Sequence, residues 1–244
     1  MAVLELTHEI RDAIDRWDGR LGPPAAENRK TNRLRVFVSA FVERVFATSH
    51  PLLPGVWFGG IIAYGAVVPF INASVGVARG VGLYALGLLV WTLTEYVLHR
   101  FVFHLRPGPT DSSKVRQFMM HGYHHEFPND RMRLVAPPLM SWPLAAVFAL
   151  LYRGLLGPGL WWPAFGGTVA GYLAYDWIHY YTHHFTPTTA MGKALRRNHM
   201  VHHYSNSEAN HGISSPLWDF IFRSYQGPTR GARGAAETRD AGPS

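Results

Sequence analysis

Four histidine clusters mark the second half of the chain: His99-x4-His104, His121-x2-His124-His125, His179-x3-His183-His184 and His199-x2-His202-His203. Twelve of the 14 histidines lie between His99 and His211. Neutral imidazole is the commonest nitrogen ligand for zinc, iron, copper and nickel in proteins. This part of the chain therefore predicts metal binding.

The spacing within the clusters indicates how the ligands group. Residues three or four apart share one face of an α-helix, so His179 and His183 can bind the same ion. In the second and fourth clusters the first histidine can pair in this way with either of the last two. The clusters together offer more ligands than one ion uses, so we expect two adjacent metal ions. Histidines scattered over polar helix faces are the weaker alternative.

Composition limits both the site and the class of protein. The chain has no cysteine, which excludes disulfides, iron–sulfur clusters and thiolate zinc sites, so imidazole and carboxylate must hold any metal. Hydrophobic residues make up 48% and charged residues 16%, with a net charge of +7. The basic residues form no recognition helix and no stripe interleaved with aromatics, so we expect a membrane protein and no nucleic-acid partner.

Four apolar runs are candidates for membrane spans: 53–71, 80–98, 138–156 and 160–175. Each approaches the length that crosses a hydrocarbon core of roughly 30 Å. Aromatic residues at the ends of the fourth run, such as Trp161 and Trp177, are typical of a membrane interface. Buried core helices of a soluble protein are the alternative, and four such runs in 244 residues make it less favoured.

The positions of lysine and arginine predict an orientation. If all four runs cross the membrane from a cytoplasmic N-terminus, residues 1–52, 100–133 and those after 179 face the cytoplasm. These segments hold 21 of the 23 Lys and Arg residues. All four histidine clusters then lie on that side. The expected fold is all-α, an integral membrane helical bundle of about four transmembrane helices with a cytoplasmic histidine-rich dimetal cap.

The two ends of the chain differ from the apolar middle. Ile10, Ile14 and Trp17 recur at helical spacing among charges, which predicts an amphipathic helix lying on the bilayer or packed on the domain. We divide the chain into an N-terminal helix and basic linker at 1–52, a membrane-embedded unit at 53–226, and a tail at 227–244. The tail is rich in Gly, Arg and Ala, and we expect it to be disordered.

Two carboxylates stand close to histidines in the sequence. Glu95 precedes His99 by four residues, and Asp176 precedes His179 by three. Each is placed to accept a ring N–H and so fix the tautomer of a metal ligand. The alternative is that each merely caps a helix at the membrane interface.

Longer stretches around the clusters resemble a known family. Residues 95–104 (EYVLHRFVFH) resemble the first histidine box of the fatty acid hydroxylase superfamily, and the chain is most similar to its fatty acid 2-hydroxylase branch. The other matching stretches are 120–125 (MHGYHH) with 133–138 (RLVAPP), 175–183 (YDWIHYYTH), and 199–203 (HMVHH) with 212–219 (GISSPLWD). The resemblance covers about residues 55–225.

The resemblance implies a reaction and a ligand set. It implies two iron ions, an O2-dependent monooxygenase (an oxidoreductase) and a lipid substrate hydroxylated at the 2-position of a fatty acid or sphingolipid acyl chain. The implied ligands are His99, His104, His121, His124, His125, His179, His183, His199, His202 and His203. His184 and His211 fall outside that set. Histidine-only sites also take zinc readily, so purified protein can carry zinc.

Some relatives in this superfamily carry a fused cytochrome b5 domain with a His-Pro-Gly-Gly motif. Here His50-Pro51 is followed by Leu52, and the first fifty residues are too few for that domain. We therefore expect a separate electron donor, a cytochrome b5-like protein or a ferredoxin with its reductase.

Two other functions compete with lipid hydroxylation. A sterol or carotenoid oxygenase, or a desaturase, would share the histidine boxes and differ in its pocket. A histidine-rich metal transporter would place ligands near the middle of the membrane, whereas these clusters lie at the ends of the predicted spans.

Overall fold

The computed structural model describes residues 5–31 and 33–227, so the predicted tail lies outside the described residues except for its first position. Within these ranges the regular secondary structure is helical, and one isolated antiparallel bridge joins Leu6 and Phe37. The all-α prediction is confirmed for the described residues. The α-helices are α1 His8–Arg16, α2 Ala40–Val42, α3 Leu53–Ile71, α4 Val77–Val97, α5 Asp111–Gln117, α6 Tyr123–Glu126, α7 Pro138–His184, α8 Ala190–Tyr204 and α9 Leu217–Ile221.

Three helical segments are long and apolar enough to cross a membrane: Leu53–Ile71, Val77–Phe103 and Pro138–His184. The first coincides with the predicted run 53–71, and the second contains the predicted run 80–98. The third is 47 residues long and contains both remaining runs. Apolar length therefore located these regions, and the gap at 157–159 between the last two runs falls inside the third segment.

Helix α7 turns back on itself at Gly157. This residue has φ 74° and ψ 175°, a non-helical conformation that glycine adopts readily, and Pro158 follows it. The Tyr152 hydroxyl lies 2.8 Å from Oγ1 of Thr168, 16 residues later. In a straight helix those residues would stand roughly 24 Å apart. Residues 138–156 and 158–184 therefore form a helical hairpin.

The spanning helices approach one another closely through glycine. A Cβ atom added to Gly167 in α7 would lie 2.0 Å from the Tyr84 carbonyl oxygen in α4. One added to Gly87 would lie 2.1 Å from the Ala164 carbonyl oxygen. Small residues at such contacts are typical of helix packing in membranes. This packing fixes the ends of α4 and α7, where the first and third histidine clusters begin.

Helix α1 packs on the domain through its apolar face. Ile10 and Ile14 are fully buried, and Trp17 contacts Phe118 edge-on with ring centroids 5.4 Å apart. The same cluster includes Tyr123, next to the second group of histidines. Of the two placements that the sequence allows, packing on the domain is the one that the structure shows.

Candidate metal centre

The ten histidines of the predicted ligand set lie together in two groups of five. Site A consists of His99, His104, His121, His125 and His202, and site B consists of His124, His179, His183, His199 and His203. Within each group one ring nitrogen per residue lies within 4.8 Å of all the others. A metal ion binds imidazole nitrogen at about 2.0–2.1 Å, so ligands of one ion stand within about 4 Å of each other. Small adjustments of the rings would bring either group to that spacing.

Neighbouring histidines serve different sites. His124 belongs to site B and His125 to site A, and His202 and His203 divide in the opposite order. Consecutive helical residues point about 100° apart, so each adjacent pair faces two centres. The alternatives that the sequence left open are thereby resolved, because His125 shares a site with His121. The two sites are neighbours built from shared helices.

A π-helical turn brings His99 and His104 to the same site. Residues five apart on an α-helix point about 140° away from each other. Here Leu98–Phe103 forms a π-helix, and the His104 N–H lies 3.2 Å from the His99 carbonyl oxygen. The wider turn rotates the two rings toward one side. A second π-helix, Phe118–Gly122, carries His121, and such turns are frequent at functional sites.

The ring nitrogens point at one another. In site B the Nε2 atoms of His183 and His199 are 2.7 Å apart, and that of His124 is 3.0 Å from that of His203. In site A the Nε2 atoms of His99 and His121 are 3.1 Å apart. These atoms converge as ligands of a common ion do.

Burial keeps these rings neutral. Desolvation, with a smaller contribution from neighbouring histidines, lowers the pKa of six site residues outside the spanning helices well below the usual value: His121, His124, His125, His199, His202 and His203. A neutral ring offers a lone pair to a metal. Nε2 of His104 and of His202 is buried without a hydrogen-bond partner among the described residues. A metal ligand role would satisfy such atoms, so the donor set fits a pair of ions.

The predicted contact between Glu95 and His99 is wrong. The Glu95 carboxylate instead accepts the backbone N–H groups of Ile213 and Ser214 at 2.5 and 2.8 Å. Nδ1 of His99 lies 2.6 Å from the carbonyl oxygen of His211. A backbone carbonyl has taken the place that we assigned to the carboxylate, because the loop after α8 lies between the two side chains.

Asp176 is fully buried in α7, and its polar neighbours include the Tyr172 hydroxyl. No hydrogen bond joins it to Nδ1 of His179. The two other histidines of the clustered region, His184 and His211, lie outside both groups. The His184 ring is tilted against that of Tyr180 with centroids 4.6 Å apart, whereas His211 is buried beside site A, 5.1 Å from the ring of His104. Sequence reasoning missed the carbonyl of His211, because backbone acceptors leave no signature in residue type.

Comparison with known proteins identifies the family. The family model described as fatty acid hydroxylase matches residues 84–224, which is more than half of the chain. The chain belongs to the fatty acid hydroxylase family. The matched region contains all ten site histidines, so the family match covers both candidate metal sites.

Curated relatives in this family are enzymes. The chain is 34% identical over 190 residues to dihydroceramide fatty acyl 2-hydroxylase FAH1 of Arabidopsis thaliana, covering 77% of this chain and 78% of the relative. It is 33% identical over 211 residues to human fatty acid 2-hydroxylase, covering 79% of this chain and 56% of that protein. This fatty acid hydroxylase is therefore an oxidoreductase of the hydroxylase class.

A solved structure shares the fold. The hydroxylase domain visible in full-length scs7p superposes with a TM-score of 0.74 and 26% sequence identity. The likeness covers 93% of this chain and 92% of that one. The two chains therefore share one fold over most of their length.

Proposed function

We propose that this fatty acid hydroxylase uses two iron ions to insert one atom of O2 into the C–H bond at the 2-position of a fatty acyl chain. The acyl chain belongs to a fatty acid or to a sphingolipid such as ceramide. The observation that carries the proposal is the division of ten histidines, eight of them buried, into two adjacent five-nitrogen groups. The 2-position is favoured over sterol or carotenoid oxidation and over desaturation, because the relatives are named as 2-hydroxylases of fatty acyl groups.

The chemistry needs two metal ions and a protected site. Bound iron would supply the electrons that cleave dioxygen and would lead to oxidation of an unactivated C–H bond. The overall reaction consumes the C–H bond, O2, two electrons and two protons, and yields C–OH and water. The protein contributes neutral ligands, fixed ring orientations and a buried environment. Zinc can fill the same nitrogen sites in purified protein.

Apolar side chains surround the site at the ends of the spanning helices. Phe101 and Leu105, beside site A, are 58% and 61% exposed, and Phe185, next to the end of α7, is 54% exposed. Exposed apolar side chains are favourable where the hydrocarbon of a bilayer meets the headgroup region. They support delivery of an acyl chain from the bilayer to the metal centre.

The proposed topology has four crossings and places both described ends of the chain in the cytoplasm. The hairpin at Gly157 supports two crossings within α7, because its halves lie side by side. The Lys and Arg distribution supports a cytoplasmic metal cap. Residues 53–226 form the membrane-embedded unit in this proposal, with residues 1–52 as its N-terminal cytoplasmic segment. Electrons come from a separate donor, a cytochrome b5-like protein or a ferredoxin with its reductase.

The test uses the purified, iron-loaded protein with ferredoxin, its reductase and NADPH. Ceramide whose acyl chain carries two deuterium atoms at carbon 2 is supplied under ¹⁸O2. We expect a product that has gained one ¹⁸O atom and lost one of those deuterium atoms, with His202→Ala as the inactive control. Retention of both deuterium atoms, or loss of hydrogen without oxygen, would contradict 2-hydroxylation.

A further inference from the structure

The loop that follows α8 holds site A through its backbone. We infer that Glu95 and Asp219 act as positioning residues that fix loop 209–214 as a clamp on site A, while site B has no such clamp. The inference rests on the dimetal site of the proposed function. It adds that loop 209–214 orients ligands of site A and none of site B.

Two carbonyl groups of the loop orient two ligands. The His211 oxygen lies 2.6 Å from Nδ1 of His99, and the Ala209 oxygen lies 2.7 Å from Nδ1 of His202. A carbonyl only accepts, so each ring donates its Nδ1–H and keeps the lone pair on Nε2. Partners of this kind fix the tautomer and the ring orientation of a metal ligand. Both rings belong to site A.

Two buried carboxylates hold the loop in place. The Asp219 carboxylate accepts the N–H groups of His211 and Gly212 at 2.9 and 2.8 Å. Glu95 accepts those of Ile213 and Ser214 at 2.5 and 2.8 Å. Four consecutive backbone donors therefore end on two side chains that are 0% and 3% exposed. Hydrogen bonds to charged acceptors are stronger than neutral ones, so the loop has little freedom.

Local packing restricts the loop further. A Cβ atom on Gly212 would lie 2.2 Å from the Ser215 carbonyl oxygen, so no other residue fits there without moving the backbone. Asn210 has a left-handed φ of 57°, and its N–H bonds the Ser224 carbonyl oxygen at 2.9 Å. The Ser224 hydroxyl in turn donates to Asp219. The carbonyls that meet site A thus come from a segment tied at every position.

The rings of site B have no such bonds to loop 209–214 in the described part of the chain. Nδ1 of His179, His199 and His203 is buried without a hydrogen-bond partner among the residues that the structure describes. Among the described residues, no hydrogen bond joins a site B ring to loop 209–214. Loss of the clamp should therefore weaken the metal in site A and leave site B unchanged.

Zinc binding tests this directly and needs no turnover. Metal-free protein in detergent is titrated with Zn²⁺ against a chromophoric chelator, for the wild type and for Asp219→Asn. The new amide N–H₂ group would face a backbone N–H group that donates to the carboxylate in the wild type, so one of these hydrogen bonds would be lost. We expect two Zn²⁺ per chain in the wild type, and in the variant one of them bound about 10–100-fold more weakly. Glu43→Gln alters another buried carboxylate, which accepts the Val36 and Phe37 N–H groups and makes no hydrogen bond to loop 209–214. It serves as the matched control and should bind as the wild type does.

Background variants assign the weakened ion. Each site has five histidines and Zn²⁺ needs only four ligands, so each background removes three of them. With His183, His199 and His203 replaced by alanine, site A is the intact site, and Asp219→Asn should weaken its Zn²⁺ by the same factor. With His104, His121 and His125 replaced by alanine, site B is the intact site, and Asp219→Asn should leave its Zn²⁺ affinity unchanged. Gly212→Ala displaces the loop without changing its charge and should repeat this pattern. It keeps the test valid if Asp219→Asn does not fold.

The outcomes separate this inference from the proposed function. A wild type that binds fewer than two Zn²⁺ ions contradicts the dimetal site itself. Two ions in the wild type, with equal affinities in Asp219→Asn and Gly212→Ala, overturn the clamp alone. Equal weakening in the background with only site A intact and in the one with only site B intact also overturns it, because the effect would then be general.

Discussion

Single histidines differ in what their removal should cost. His202 is fully buried in site A with Nδ1 bound to a carbonyl, whereas His184 lies outside both groups. We expect His202→Ala to reduce hydroxylated product by more than about 100-fold, since losing a ligand should exceed the loss of a ligand's partner. His184→Ala should reduce the product much less, because its ring lies outside both groups. Product per folded protein, measured by mass spectrometry, checks the order. Equal losses in His202→Ala and His184→Ala would show that the ligand set is wrong.

Burial of histidine also predicts how stability changes with pH. Desolvation lowers the pKa of His211 from 6.5 to about 3. Below pH 6.5 the unfolded ring takes up a proton that the folded ring refuses, so the free energy of unfolding falls as the pH falls and is unaffected above 6.5. Each such histidine contributes a slope of about 1.4 kcal/mol per pH unit.

Denaturant unfolding of the metal-free protein between pH 7.5 and 5.5 measures that slope. His211→Asn should reduce it by the contribution of one residue. An unfolding free energy that does not change over this range would contradict neutral burial of the histidines.

Residue spacing alone could predict that the clustered histidines bind metal, because ligand chemistry restricts the candidates in a chain without cysteine, whereas the set of ten came from the family resemblance. It could not divide them between sites. His99 and His104 share a site only through a π-helical turn, and residue type gives no sign of it. The link from Glu95 to site A passes through a loop more than a hundred residues away, which local spacing cannot show.

At the scale of whole helices, the close contact of Gly167 with Tyr84 gives a stability prediction. Gly167→Ala places a Cβ atom 2.0 Å from a carbonyl oxygen of α4, so the helices must separate. We expect destabilisation of about 1–3 kcal/mol, the usual cost of overpacking. Gly60→Ala is the matched control, because nothing lies within 4 Å of its Cβ position. Thermal unfolding in detergent compares the two variants, and equal transition temperatures would disprove the tight contact.

The helices themselves were largely predictable. A bilayer requires a fixed length of apolar chain, so the run 53–71 reproduces α3 at both ends. Hydropathy separated the runs 138–156 and 160–175 where Gly157 breaks the helix, but the second run is shorter than the helical half 158–184 that contains it. The amphipathic pattern of α1 predicted its buried face but not the partner, which depends on tertiary packing.

For the whole molecule, the central geometric prediction is that Gly159 and Ser74 lie on one side of the membrane, with Ser112 on the other. The chain has no cysteine, so Gly159→Cys, Ser74→Cys and Ser112→Cys each create one reactive position on an exposed site. In sealed cells an impermeant maleimide should label the first two and spare Ser112→Cys. Permeabilised cells are the control in which all three react. Labelling of Gly159→Cys together with Ser112→Cys would contradict the four crossings.

The most direct test of acyl hydroxylation is the lipid content of cells that express the wild type or His202→Ala. Mass spectrometry with fragmentation would find acyl chains that are heavier by one oxygen atom and locate that atom. We expect 2-hydroxyacyl lipids in the wild type alone. Absence of any oxygenated acyl lipid, with iron bound to the protein and a competent electron donor present, would contradict acyl hydroxylation and favour sterols, carotenoids or desaturation instead.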